Sequence, residues 1–466
     1  MTDPGRNPET EPREAEETDL LFEHAREILD TARQALATSD VQRVESIVEN
    51  EHAADVAHLL EQLDGDERRL FIEITRHILD PETLSHLDEA VRAEVLEYLT
   101  PKEVAAAVVE LHSDDAVDIL EDLDEEQKRQ ILESIPPEER ALIEEGLTFP
   151  EESAGRLMQR ELVAVPSYWT VGETIDFLRA SGDLPDDFYD LFLVDPAHKP
   201  VGAVPLSRAM RNRRNVKLED IMETDLRTIP AETDQEEVAY MFRQYGLVSA
   251  PVVDSAGRLV GVVTVDDVVH VIDEEAEDDL MKLGGVKEDD LYRAAIDTTR
   301  SRFSWLVINL VTAILASFVI SIFESTIERV VALAVLMPIV ASMGGNAGTQ
   351  TLTVAVRALA MRDLTEANAW RFVGKEVMVG SFNGILFALL AGVVAGFWFE
   401  NLQIGFVIGA AMVVNMVVAG LAGTLIPLGL DRLKIDPAVA SGVFLTTVTD
   451  VIGFLAFLGL ATLFLL

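Results

Sequence analysis

The chain has 466 residues and carries 81 Asp and Glu against 37 Lys and Arg, a formal net charge of −44. A balance this acidic argues against a nucleic-acid binder, which needs a basic footprint, and the absence of cysteine excludes disulfides, thiolate catalysis and Cys-based zinc or iron–sulfur sites. Yet 49% of the residues are hydrophobic, and the two facts fit only because charge and apolarity are segregated: residues 1–302 hold 72 acids and 30 bases, residues 303–466 only 9 and 7.

Residues 1–18 read as a solvated, disordered acidic leader with no apolar run, so not as a signal peptide. The acidic part is therefore expected to stay in the cytosol. Only 8 of the 37 bases are Lys, a composition that suits a high-salt habitat.

From 19 to 148 the pattern is helical and repetitive. Leu60-Glu61-x-Leu63-Asp64 returns as Leu84-x-x-Leu87-Asp88, Leu96-Glu97-x-Leu99-Thr100, Leu120-Glu121-x-Leu123-Asp124 and Leu132-Glu133-x-Ile135-Pro136, always at multiples of 12 residues. A short amphipathic helix plus a turn cannot bury its apolar face alone, so the units are expected to stack into a superhelix, with a plain short-helix bundle as the alternative.

Between 149 and 275 β-branched runs alternate with helical stretches, and a second repeat appears. Val194-Asp195 and Val201-Gly202-Ala203-Val204 both return at one constant offset, as Val253-Asp254 and Val260-Gly261-Val262-Val263. Leu157-Met158 and Val165-Pro166 return at a slightly longer constant offset, as Ile221-Met222 and Ile229-Pro230. This tandem α/β module, divided as 149–214 and 215–275, resembles a pair of CBS domains. Gly261-Val-Val-Thr264-x-x-Asp267 is similar to the CBS motif in which Thr and Asp hold a nucleotide, which makes Thr264 and Asp267 candidate ATP ligands. The first repeat has Pro205 and Arg208 at the matching positions. A Thr/Asp helix cap explains the pair equally well.

Residues 276–302 read as a charged connector helix with a break at Gly284-Gly285. Apolar stretches at 303–323, 327–357, 376–399, 403–430 and 437–466 are each long enough to span a bilayer. Arg357, Arg362, Arg371, Lys375, Arg432 and Lys434 fall on one side and Arg329 alone on the other, which predicts a multi-pass protein of the cell membrane with its N-terminus in the cytosol and its C-terminus outside.

Polar residues inside the spans are few and therefore informative. Pro338 and the run Gly344-Gly345-Asn346-Ala347-Gly348-Thr349-Gln350 are expected to break or bend the second span. Asp450 reads as the single acid well inside a span, with Glu376 at an end. With no base in the spans to pair with, Asp450 is protonated, hydrated or bound to a cation. Two copies in a two-fold homodimer match a divalent ion, and oxygen ligands without Cys or His favour a hard one, Mg2+ or Ca2+. Close helix packing at the glycines and a neutral, hydrogen-bonded Asp450 are the structural alternatives.

Helical repeat, CBS pair, connector, five spans, the Pro338-x(5)-Gly-Gly-Asn-x-Gly-x-Gln run with Arg357-Ala358-Leu359 and Arg362-Asp363, and Thr449-Asp450 in the last span together resemble the MgtE family of magnesium channels and transporters. The predicted class is a multidomain membrane protein: an α-helical superhelical N-terminal domain, tandem α/β CBS domains, a connector (plug) helix and a five-helix transmembrane domain. The resemblance implies a non-enzymatic homodimer with a pore lined by the second and fifth spans, where Asp450, helped by Asn346 and the carbonyls near Thr446, binds hydrated Mg2+. It also implies regulatory Mg2+ at Asp114, Asp118, Asp234, Glu236, Asp267, Glu275, Asp278 and Asp279. His270 stands where the family pattern has an acid, which would weaken one such site.

The residues themselves support a cation clamp. Asp114 and Asp118 share a helical face, and acids facing acids repel by roughly 1–4 kcal/mol per pair until a divalent ion bridges them. A solvated acidic surface is the plain alternative in so acidic a chain. Competing functions are a broader divalent-cation transporter (Ca2+, Mn2+, Co2+) and a CBS-containing anion channel; the latter suits neither this domain order nor an axial Asp450. No Walker, metal-hydrolase or Ser/His/Asp grouping supports an enzyme.

Overall fold

The structure, a computed structural model, describes residues 11–466 except 122, 183, 186, 287–294 and 366, with side chains from 23 onward save 297, 301 and 440. It divides into two compact units, Met1–Asp273 and Glu274–Leu466.

The first unit opens with helices α1 (Glu11–Thr38), α2 (Val41–Asn50), α3 (Ala53–Gln62), α4 (Gly65–Thr75), α5 (Glu82–Ser85), α6 (Glu89–Tyr98), α7 (Pro101–Glu110), α8 (Ser113–Glu121), α9 (Glu125–Ser134) and α10 (Pro137–Gly146). Residues 11–18, expected to be disordered, belong to α1: beyond Pro12 the run of Glu, Arg and Ala is a good helix former. The acid that closes each sequence repeat caps the next helix. Asp64, Asp88 and Asp124 accept from first-turn amides of α4, α6 and α9, and Thr100 does so for α7. The leucines before the caps point inward, with Leu60, Leu84, Leu96 and Leu120 all in one core. α2 packs on α4, α4 on α6, α7 on α9 and α8 on α10, the next-but-one stacking of a superhelix rather than a bundle.

Two three-stranded sheets follow. α11 (Ala154–Leu157) leads into β1 (Ala164–Pro166), α12 (Val171–Ala180), β2 (Asp190–Val194), β3 (Pro200–Pro205) and α13 (Leu206–Arg211). β4 (Ile229–Pro230), α14 (Gln235–Tyr245), β5 (Ser249–Val253), β6 (Leu259–Thr264) and α15 (Val265–Gly284) repeat the order. In each sheet the first strand runs parallel to the second and the second antiparallel to the third. The register shifts at Leu193/Val194 in one sheet and at the equivalent Val252/Val253 in the other. The leading segments are exchanged. Ala154 and Gly155 donate to Thr233 and Ala231 of the second repeat, while Leu218 and Glu219 donate to Trp169 and Ser167 of the first. Met158 is thus buried with Ile229 and Val263, and Leu218 with Val165 and Leu193.

In the second unit the connector is not one helix. α15 stops at Gly284, and Gly285 has φ +68°, where an added Cβ would collide with the Trp305 ring. Residues 287–294 lie outside the described residues. Then come α16 (Ala295–Ser321), the short α17 (Glu324–Arg329), α18 (Ala332–Ala360), α19 (Ala369–Trp398), α20 (Leu402–Arg432) and α21 (Pro437–Leu465). Among the described residues five helices are long and apolar enough to cross a membrane: α16 from Thr298, α18, α19, α20, and α21 from Ser441. α20 is the most enclosed; α16 and α19 leave most of their apolar surface uncovered.

The expected break in the second span and the expected start of the third are both corrected here. α18 runs unbroken through Pro338, Gly344, Gly345 and Gly348. Neighbours use the space that the glycines leave: a Cβ on Gly348 would lie 2.7 Å from Leu445 Cδ1, and one on Gly344 would collide with the Asn415 amide. α19 begins at Ala369, well before the expected third span, so Lys375 and Glu376 sit within the helix rather than at its start.

Candidate metal centres and pore

The first turn of α8 gathers acids. His112, Asp114 and Asp115 bring one ligand atom each within 4.8 Å of one another. Asp114 is only 7% exposed and its Oδ1 has no hydrogen-bond partner. Burial first, then the charges of Asp267 and Asp115, push its carboxyl well above the usual range. Burial, followed by Asp267, raises Asp115 to about 6. Burial also raises Asp267, against a hydrogen bond from Thr264 Oγ1 to Asp267 Oδ2 at 2.7 Å. Ser113 fastens the turn: its hydroxyl donates to Glu161 Oε2 at 2.8 Å and accepts from the Arg160 amide at 2.8 Å. Arg156 donates to Glu121 Oε2 at 2.8 Å from the CBS side.

Asp267, predicted from the CBS motif, and Asp114, predicted from the helical domain, therefore lie near enough for each charge to act on the other. Asp115 and His112 complete the group without having been expected, although their adjacency to Asp114 is plain in the sequence. Thr264 commits its hydroxyl to Asp267, and Asp267 faces two further acids, an arrangement that repels a nucleotide polyphosphate. Asp118 goes elsewhere. It is exposed and accepts from buried Arg92 at 2.5 Å, repeating further along the superhelix the pairing of Arg68 with Glu94. Asp234 caps α14 by accepting from the Glu236 amide at 3.0 Å. Glu236 and Glu275 are both partly buried, and His270 is exposed.

A second acidic group lies on the connector. Lys282 Nζ bonds Asp278 and, at 2.9 Å, Asp436, which also caps α21 by accepting from the Ala438 amide. Burial works against the Lys282 charge, but the two carboxylates outweigh it and hold its pKa up. Burial and then Asp436 raise Asp279. One residue on, Leu283 packs against the buried cluster that includes Leu352 and Leu445, so the end of α15 is seated on α18 and α21.

Within the membrane helices Asp450 is half-buried, while Asn346 and Thr446 are exposed. Thr446 Oγ1 returns to Gly442 O at 2.8 Å, and Asn346 Nδ2 reaches Ser342 Oγ at 3.4 Å. Asn346, Thr349, Gln350 and Thr353, with Ser342 a turn earlier, form a polar stripe along one side of α18. Such a stripe against lipid would be costly; it suits water or a second copy of the chain. Glu376 corrects the reading of Asp450 as the single inner acid. It is 7% exposed, accepts from Thr351 Oγ1 at 3.0 Å and pairs with neighbouring Lys375 at 3.3 Å.

Three family models match: one described as a divalent cation transporter over residues 337–460, the MgtE intracellular N domain over 51–152, and the CBS domain over 218–274. The Magnesium transporter MgtE of Enterococcus faecalis is 34% identical over 447 residues, covering 88% of this chain and 97% of that one. That of Thermus thermophilus is 35% identical over 441 residues, with 93% and 97% covered. The chain belongs to the MgtE family. A solved structure described as the cytosolic domain of the Mg2+ channel MgtE in complex with ATP is 32% identical and covers 52% of this chain and 99% of that one, at a TM-score of 0.48. The matched regions take in α18 from residue 337, α19, α20 and most of α21, the superhelix from α3 to α10, and the second of the two sheets.

Proposed function

We propose that the chain conducts Mg2+ across the cell membrane through a pore on the two-fold axis of a homodimer, and that cytosolic Mg2+ closes it. The observation that carries this reading is the polar stripe on α18 beside α21, which bears Asp450 and Thr446. Two copies facing each other turn the stripe from a lipid-facing liability into the wall of a water-filled path. Two Asp450 carboxylates, with Asn346 and the carbonyls around Thr446, then hold a hydrated hard cation. In this orientation the N-terminus is cytosolic and the C-terminus outside.

Closure uses the acidic groups. Asp114 and Asp267 repel one another at the start of α8, and Asp278 and Asp279 gather with Asp436 at the end of the connector. A divalent ion at either reverses the sign of the interaction and holds the connector on α18 and α21. Asp234, Glu236 and Glu275 remain candidate ligands of the same kind. Asp118 is better explained by its pairing with Arg92.

Flux into liposomes tests the pore. Mg2+ uptake is expected with the natural chain and lost with Asp450→Ala, and unchanged uptake in the variant would defeat the assignment. Competition with Ca2+, Mn2+ and Co2+ separates a Mg2+ channel from a broader divalent transporter. Closure is tested by limited proteolysis near Gly284-Gly285, which should slow as Mg2+ rises; ionic strength is held constant because the Debye length shrinks to roughly 3 Å at 1 M salt.

A specific observation favours ATP at a different place from Thr264–Asp267. A 750 Å³ cleft opens elsewhere on the CBS pair, lined by Tyr189, Asp190, Ser207, Arg227, Tyr245 and Ser249 among others. The Arg227 guanidinium lies 4.5 Å from the centre of the Tyr245 ring, a platform for a base beside a cation for phosphate. Tyr245→Ala should abolish ATP binding measured by calorimetry, and Asp267→Asn should leave it intact.

A further inference from the structure

We propose that Asn415, in α20, is a positioning residue for the ion path: its side-chain amide is the spacer that sets how far α21, with Asp450, stands from the polar side of α18. The inference rests on the pore reading above and adds to it a fully buried residue on a helix that the pore reading does not use.

Asn415 is 0% exposed, in the most enclosed of the five membrane helices. Its Nδ2 donates to Val340 O of α18 at 2.8 Å. α18 is unbroken at that point, and in a continuous α-helix each carbonyl already accepts from the amide four residues on, so the helix does not need this bond. The Oδ1 of Asn415 is buried without a hydrogen-bond partner. An orphaned acceptor is a cost that an apolar side chain of similar shape avoids, and polar groups at membrane depth are expensive to keep. Stability alone therefore does not account for an amide here.

Its surroundings do. The amide lies between glycines of two different helices. A Cβ on Gly453 of α21 would stand 2.8 Å from Asn415 Nδ2, and one on Gly344 of α18 would collide with the same group. Gly453 is one helical turn past Asp450, and Gly344 lies two residues before Asn346 in the polar stripe. A flat, stiff group is thus tied to α18 at one end and pressed against α21 on its face, at the level of the residues assigned to the ion. The gap that it keeps bears on selectivity. Mg2+ needs a near-ideal octahedron and retains its waters, whereas Ca2+ accepts six to eight ligands in looser geometry. Loosening the spacer should therefore harm Mg2+ passage more than Ca2+ passage.

The test uses the full chain in liposomes, with Mg2+ or Ca2+ uptake measured against ion concentration and thermal melting of the same preparations in detergent. Asn415→Leu should melt no lower than the natural chain. Its half-saturating Mg2+ should rise about tenfold, the scale on which loss of an outer partner weakens a metal site, and its preference for Mg2+ over Ca2+ should narrow. Gly453→Ala keeps the amide but displaces it with a methyl, and should shift half-saturation in the same direction; it carries the test if the leucine variant does not fold. Half-saturation and ion preference unchanged in either variant, or flux that declines only as far as melting temperature does, would overturn the proposal. Asp450→Ala run alongside separates the two readings. Flux that survives it defeats the pore assignment itself, whereas flux lost in Asp450→Ala but natural in Asn415→Leu defeats only the role given to Asn415.

Discussion

Lys282 Nζ reaches Asp436 at 2.9 Å while also bonding Asp278 one turn back on its own helix. The connector thus carries its own cation into the group of acids at the head of α21. With each side chain about one-third exposed, the contact contributes ~1 kcal/mol. In Lys282→Met three carboxylates would meet without a fixed counter-charge, so closure should require about fivefold more Mg2+. The midpoint of the Mg2+ titration of connector proteolysis measures this, and an unmoved midpoint would remove Lys282 from the gating account.

The acids at α8 predict a pH dependence. Asp115 has its carboxyl at about 6 in the folded chain, against 3.8 when unperturbed. The folded state therefore binds the proton more tightly than the unfolded state, and stability contributed by this group falls as pH rises from about 4 through about 6. In chelator, melting of the full chain should show this decline; added divalent ion should flatten it, and Asp115→Asn should make it shallower, leaving the part that the raised carboxyls of Asp114 and Asp267 contribute.

Asp118 and Asp114 should separate cleanly. Asp118→Ala removes one anchor of buried Arg92 and should cost about 1 kcal/mol of stability in the helical domain, because the carboxylate is largely exposed. Divalent-ion affinity should stay as in the natural chain. Asp114→Ala should do the reverse: the repulsion disappears, apo stability rises and ion binding is lost. Calorimetry of binding together with thermal melting distinguishes the two patterns.

Gly348 sets the spacing of α18 and α21. Gly348→Ala places a methyl 2.7 Å from Cδ1 of buried Leu445 and should destabilise the membrane unit by about 1–3 kcal/mol. Leu445→Ala in the same chain should restore part of that loss. Melting in detergent of the single and double variants gives the coupling, and additive effects would show that the two helices do not depend on this contact.

Much of this is legible from spacing. The short period of the helical repeat marks both the inward leucines and the capping acids, and the constant offsets between Val194 and Val253 and between Met158 and Met222 locate two sheets with matching irregularities. Hydropathy locates five spans, and the motifs single out Asp114 and Asp267. What spacing does not supply is partnership across elements. Asp114 and Asp118 lie on one helix face, yet one faces Asp267 and the other Arg92, a difference set by which helix packs alongside. Asp115 and His112 carry a signal, three titratable residues within four positions, that an argument from one helix face leaves aside. Glu376 escapes a reading by hydropathy because the start of α19 is polar enough to look like loop, and the polar stripe of α18 emerges only when exposure is added to the motif. The exchanged leading segments leave no trace in a repeat, since both copies exchange in the same way.

That exchange makes the two CBS repeats topologically interdependent. Met158 belongs by sequence to the first repeat and by burial to the core of the second, and Leu218 does the opposite. Excising either repeat would strip the survivor of part of its own hydrophobic interior. A break in the peptide between Asn212 and Lys217 should therefore leave the halves associated and melting in a single transition, and any ligand that tightens one sheet is mechanically obliged to tighten the other.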